Sequence, residues 1–155
     1  MSDFNPKASL KVTKMIFTAI FIGPLVLLAM FLLSYDFVFS NSFSFLSPYN
    51  LGLLAIIALG LPIANHYSRK TLGSISAEDS LQGRMGKYQT ALIIRLAGWE
   101  GLALLSAVSI MENAHVVYMA FFIVAMGSLF LNYPSINNLE KTIQLSSSEV
   151  QDLRK

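Results

Sequence analysis

Four apolar runs separated by polar stretches pattern the chain: Met15–Tyr35, Leu51–Tyr67, Gln89–Met111 and Ala114–Tyr133. A helix needs about 20 mostly apolar residues to cross a bilayer, and each run is close to that length. The pattern predicts an all-α integral membrane protein, a single domain over residues 1–155 with four transmembrane helices in a bundle. The first run is too long for a signal-peptide core, and no small-residue cleavage pattern ends it. It reads as a retained span.

Within the runs, Gly23-Pro24 falls mid-span, where proline removes a backbone donor and predicts a kink. Gly60 and Pro62 lie near the inner end of the second run, followed by Asn65 and His66 at the expected interface. A tight turn at Glu112-Asn113 separates the third run from the fourth, and Tyr133-Pro134-Ser135 ends the fourth.

The polar stretches carry their own signals. In residues 36–48, Phe37, Phe39, Phe43 and Phe45 alternate with polar residues, as in a loop that rests aromatic rings at a membrane surface. Residues 68–88 are the only long polar connection. Ser76 followed three residues later by Asp79 reads as a capping box, predicting a short helix from near Ala77 that Gly83 and Gly86 interrupt. In the tail, residues 134–155, Ile136, Leu139 and Ile143 recur at helical spacing. They predict a short amphipathic C-terminal helix on the membrane surface, followed by a polar tail in which Ser146 and Glu149 form a second capping box.

Composition agrees with this pattern. The chain is 54% hydrophobic and 13% charged, with mean hydropathy +0.58, against about 25% charged residues in a soluble domain. The absence of cysteine excludes disulfides, thiol chemistry and cysteine metal sites. Ten of the 11 basic residues lie in the N-terminal segment, the 68–88 connection and the tail, and none lies in the other two connections. By the positive-inside rule both termini are cytoplasmic, N-in and C-in.

The eleventh base is Arg95, which shares the third run with Glu100 at the run's midpoint. A charge at the bilayer centre costs roughly 2.5–3.5 kcal/mol on insertion scales, so such a residue marks a functional site. The two are five apart, which on a helix separates them by about 140° and about 7.5 Å of rise. They do not pair within one helix, whose partners lie three or four apart. Arg95 can snorkel to the cytoplasmic interface and stack on Trp99, one turn on. Glu100 is left protonated, or meets a cation from another helix, with Arg95 of a second copy the obvious charged choice. Ala97 and Gly101 form a small-xxx-small pair, which together with Gly98 makes a helix-packing face.

From Gly86 the chain reads GKYQTALIIRLAGWEGLALL. This resembles the second helix of the c subunit of rotary ATP synthases, in which a glutamate carries the proton or sodium ion. Gly86, Lys87, Thr90, Leu92, Ile93, Leu96, Ala97, Glu100, Leu102, Ala103 and Leu104 match in register. The resemblance implies that Glu100 is the ion carrier. The chain departs from that family in lacking the glycine-rich preceding helix and the Arg-Gln/Asn-Pro loop, and in carrying Arg95. More broadly, the Arg…Glu-Gly third helix and the Pro-Ser end of the fourth resemble small uncharacterised four-helix membrane proteins of bacteria, which implies residence in the bacterial cytoplasmic (inner) membrane.

No catalytic Ser/His/Asp set, carboxylate pair, His or Cys metal cluster or phosphate-binding glycine loop is legible, so no enzyme, cofactor or metal is expected. His66 has no second ligand at metal spacing. The expected function is that of a structural or accessory membrane protein, a homo-oligomer or a subunit of a larger complex, with membrane lipid and no nucleic acid as partner. In that reading Arg95 and Glu100 form a buried pair. The alternative is a proton- or cation-handling protein with Glu100 as the carrier.

Overall fold

The computed structural model describes residues 4–34, 46–76, 78–113 and 115–154. Among them there is no strand, and six helices carry the chain: α1 (Pro6–Ser34), α2 (Pro48–Gly73), α3 (Leu81–Asn113), α4 (Val116–Leu131), α5 (Ile136–Ile143) and α6 (Ser147–Arg154). Three of them, α1 to α3, are long and apolar enough to cross a membrane. A fourth crossing is available if α4 and α5, which meet at a 72° bend, count as one span. The expected loop carrying Phe37, Phe39, Phe43 and Phe45 lies outside the described residues.

Local chemistry sets the helix ends. The Asn5 side chain accepts from the Ala8 N–H at 3.1 Å, and Pro6 takes the first helical position, where no N–H is needed. This cap starts α1 well ahead of its apolar run. Ser47 caps α2 in the same way by accepting from the Asn50 N–H at 3.2 Å, with Pro48 behind it. Pro62 does not stop α2. Just ahead of it, Ile56–Gly60 widen into a π-turn in which the Leu61 N–H bonds to the Ile56 carbonyl. That wider turn re-phases the ladder where proline has no N–H to offer.

The Ser76/Asp79 pair forms its reciprocal bond, with the Ser76 N–H donating to the Asp79 carboxylate at 2.9 Å, but it closes a turn and opens no helix. The cap of α3 is Ser80, whose hydroxyl accepts from the Gly83 N–H at 3.2 Å, so α3 begins at Leu81. It runs unbroken through Gly83 and Gly86. An interior glycine costs about 1 kcal/mol, and tertiary packing along a helix of 33 residues outweighs that. At 1.5 Å per residue α3 is about 50 Å long, well beyond the roughly 30 Å hydrocarbon core. His115 caps α4 through Nδ1, which accepts from the Val117 N–H at 3.2 Å.

The tail differs from the expectation of one surface helix and a polar end. It folds as two helices, and their apolar faces turn inward: Leu139 and Ile143 of α5 are fully buried, as are Val150 and Leu153 of α6 within a few per cent. The Ser146/Glu149 capping box starts α6, with the Ser146 N–H donating to the Glu149 carboxylate at 2.7 Å. The tail packs against the N-terminal part of α1, where Lys7, Leu10, Lys11 and Lys14 share a cleft with Ile136 and Leu153.

Helices α1, α2 and α4 all pack on α3. Its buried positions alternate bulk with small residues: Leu96 and Leu102 beside Ala91, Ala103 and Ala107. Outward positions elsewhere are large and apolar, with Leu33 89% and Leu59 62% exposed. The helix-packing role expected of Gly98 is realised within the chain: a Cβ built there would stand 3.0 Å from the Ala64 Cβ and 3.3 Å from Leu61 Cδ2. A Gly98→Val change therefore pushes α2 and α3 apart and should lower stability by about 1–3 kcal/mol, the usual cost of overpacking. Gly101→Leu, at a position with nothing within 4 Å, should leave thermal unfolding of the detergent-solubilised monomer unchanged. A Gly98→Val variant that unfolds with the parent would remove this contact from the fold.

Candidate functional site

The polar groups of α3 fall into three neighbourhoods. At its start, Arg84 is 7% exposed. Its Nη1 donates to the Ile143 and Gln144 carbonyls, both at 3.0 Å, and its Nη2 to Glu149 at 2.5 Å. A single side chain thus caps the C-terminus of α5 and pairs with the capping box of α6. The carbonyls at a helix C-terminus have no partner in the helix and carry partial negative charge, which a guanidinium satisfies. Burial pushes the Glu149 carboxyl up, but the Ser146 amide and hydroxyl and the Arg84 guanidinium outweigh it and hold the group below its ordinary value of 4.5.

One helical turn along, the Lys87 ammonium donates to the Asp79 carboxylate and the Ser74 carbonyl, both at 2.7 Å. The neighbouring Lys87 holds the Asp79 carboxyl below its usual range, helped by the Ser76 N–H. Gln89 Nε2 then ties α3 to α1 by donating to Thr13 Oγ1 at 2.7 Å and to the Ser9 carbonyl at 3.0 Å. Together these contacts gather the lysine-bearing start of α1, the end of α2, the start of α3 and the tail helices at one end of the bundle.

Arg95 is the second neighbourhood. It neither meets Glu100 nor stacks on Trp99 among the described residues. Trp99 packs against the core instead. Arg95 Nη1 donates to Asn132 Oδ1 at 3.2 Å, and Asn132 in turn donates to the Ser128 carbonyl at 2.7 Å. The Arg95 Nε is buried and has no acceptor among the described residues. The guanidinium borders a cavity of about 320 Å3 between α2, α3 and α5, shared with Ser68, Asn138 and Lys141.

Glu100 is the third, on the other side of α3. It is partly buried, and among the described residues it has no hydrogen bond or ion pair. On α1 it approaches Gly23, where an added Cβ would stand 3.8 Å from Glu100 Oε1. Ala97 is exposed beside it, and Gly101 faces open space. The three residues of the expected packing face therefore divide, with Gly98 turned inward to α2 and Ala97 and Gly101 outward.

His66 stands edge-on to Tyr67 with ring centroids 5.8 Å apart. No group of three or more His, Cys, Asp or Glu that could hold a metal exists among the described residues. Sequence reasoning missed Arg84 and Asn132. Arg84 was legible only as one of a group of bases, although its distance in sequence from Glu149 hides a direct contact. Asn132 is a polar residue at the end of an apolar run, the place where an arginine one helix away can reach it. No family model matches the chain, and no curated protein or solved structure does either.

The Arg84–Glu149 contact predicts an acid-sensitive tail. Because the Glu149 value is lowered in the fold, its stabilisation is complete above about pH 4.5 and is lost as the pH falls through the lower value. Hydrogen exchange at α5 and α6 should accelerate below that range. Arg84→Met, which strands a partly buried carboxylate and two carbonyls, should destabilise tail docking by about 3 kcal/mol at neutral pH. Unchanged exchange in Arg84→Met would show that the tail is held by apolar contacts alone.

Proposed function

We propose that the chain is a structural or accessory protein of a bacterial cytoplasmic membrane, with four spans and both termini inside, that assembles with itself or into a larger membrane complex. One observation carries this reading: Glu100, mid-way along a membrane-length helix, has no partner among the described residues, and beside it the small residues Ala97 and Gly101 leave a bare strip. An unpaired carboxyl in hydrocarbon is costly, and small residues let a second helix approach closely enough to supply donors. The apolar outer surface and the clustering of bases at one end of the bundle support the membrane setting and the orientation. Arg95 is not taken as the partner of Glu100, since its guanidinium opens on the side of α3 that faces α2 and α5.

A second reading has its own support. Pro24 withdraws the donor that the Ile20 carbonyl would otherwise have, on the stretch of α1 that approaches Glu100. A protonated Glu100 supplies an O–H donor to such a group, and an ionised one releases it. In this reading Glu100 exchanges a proton or cation, as the likeness to c subunits implies.

Association in mild detergent and in lipid separates the two. Under assembly, Gly101→Leu and Glu100→Gln should each weaken association, and a chain that stays monomeric at every concentration would end that reading. Under ion exchange, Glu100→Gln should leave association and stability intact, because glutamine mimics the protonated carboxyl. The orientation is tested separately on this cysteine-free chain. A Ser76→Cys variant should resist an impermeant thiol reagent applied to intact cells, and labelling from outside would overturn the topology.

A further inference from the structure

We propose that the cavity bordered by Arg95 and Lys141 binds a phosphate group, that of an anionic phospholipid headgroup or of a free phosphate. The first support is the state of Arg95. Its Nη1 is taken by Asn132. The Nε–Nη2 edge, the fork that accepts two oxygens of one oxyanion, has no acceptor among the described residues, and Nε is buried. A buried guanidinium edge left without an acceptor is costly, and an oxyanion removes that cost.

The second support is independent of Arg95. Ser68 is 1% exposed, and its hydroxyl, on the wall of the same cavity, has no hydrogen-bond partner among the described residues. Lys141 enters from α5, and Asn138, one turn before it, donates one amide hydrogen to the Tyr133 carbonyl and keeps the other, while the Thr142 hydroxyl is taken by the Asn138 carbonyl. Among the described residues no acidic one lines the cavity. Two cations, with hydroxyl and amide donors and no carboxylate, make a lining suited to an anion. Its volume of about 320 Å3 lies at the small end of ligand sites, about 300–1,000 Å3.

Position favours a headgroup as the source of the phosphate. Arg95 precedes the end of α3 by 18 residues, about 27 Å along the axis, which is close to one hydrocarbon thickness. With the end of α3 at one boundary, Arg95 stands at the headgroup level of the other. The cavity also shares Leu131 and Asn138 with an apolar groove lined by Phe130 and Tyr133, a path for an acyl chain.

The test uses the full chain in mild detergent, titrated with phosphatidylglycerol, phosphatidylcholine or inorganic phosphate. Native mass spectrometry reads the lipids and thermal unfolding reads the phosphate. Phosphatidylglycerol should bind in preference to phosphatidylcholine. Lys141→Gln should weaken that binding about fivefold, the usual effect of one base near an anionic surface, and Arg95→Met about tenfold or more. Lys11→Gln, a base outside the cavity, should have no effect. Arg95→Met also breaks the bond to Asn132, so Lys141→Gln, at an exposed position, is the deciding variant. Stabilisation by inorganic phosphate that Lys141→Gln abolishes, with no preference between lipids, would keep the site and assign it to free phosphate. Equal binding of both lipids with no response to phosphate overturns the proposal, as does a loss in Lys11→Gln equal to that in Lys141→Gln.

Discussion

Close approach to α3 is the constraint on which the other helices depend. In hydrocarbon, apolar side chains gain little by leaving lipid for protein, so association rests on van der Waals contact and on hydrogen bonds between helices. Both require backbones to come near one another. α3 permits this with Ala91, Ala103 and Ala107, all fully buried, and with Gly98 against Ala64. Ser106 and Ser109 are buried at the same surface without cost, because each hydroxyl returns to a carbonyl of its own helix at 2.7 Å. The helices that cluster around α3 touch one another less. Phe17 against Tyr133, edge to face at 5.2 Å, is one of the few points where α1 meets the far end of α4.

The polar side chains of α3 are graded along its length. Near its start each polar side chain has a partner: Arg84 in the tail through both Nη atoms, its buried Nε alone left over, Lys87 in the preceding turn and Gln89 on α1. Arg95 is half satisfied, and Glu100 has no partner among the described residues. The groups near the start, each held by several bonds to other elements, locate the helix, and Arg95 and Glu100 are where it has most capacity left for something outside the chain. That ordering separates anchoring residues from the site more sharply than burial does, since Arg95 and Glu100 are both only partly buried.

Much of this fold was legible in the pattern of apolar runs, because a run of membrane length has few stable conformations other than a helix. The ends were less so. Caps at Asn5, Ser47 and Ser80 lengthened or shifted helices by local bonds that compete on nearly equal terms with neighbouring serines and aspartates, and Ser76 lost to Ser80 for that reason. The tail shows a different limit. An amphipathic face such as that of Leu139 and Ile143 declares that it must be covered, and a bilayer surface and a bundle end cover it equally well in sequence terms. Gly98 and Gly101 likewise look alike as letters. Only the direction each faces makes one an internal contact and the other open. Arg95 and Glu100 were found because ionisable groups inside an apolar run stand out, while their surroundings, set by residues on other helices, did not.

The contact between Arg84 and the Gln144 carbonyl closes a loop of 60 residues that contains most of α3 and all of α4. Joining its ends requires both helices to be laid down side by side, and the entropy of closing so long a loop is not recovered until they are. Docking of the tail is therefore coupled to the packing of the fourth helix: a chain in which that helix has not taken its place leaves the leucine, isoleucine and valine faces of two short helices bare, and the folded chain conceals them.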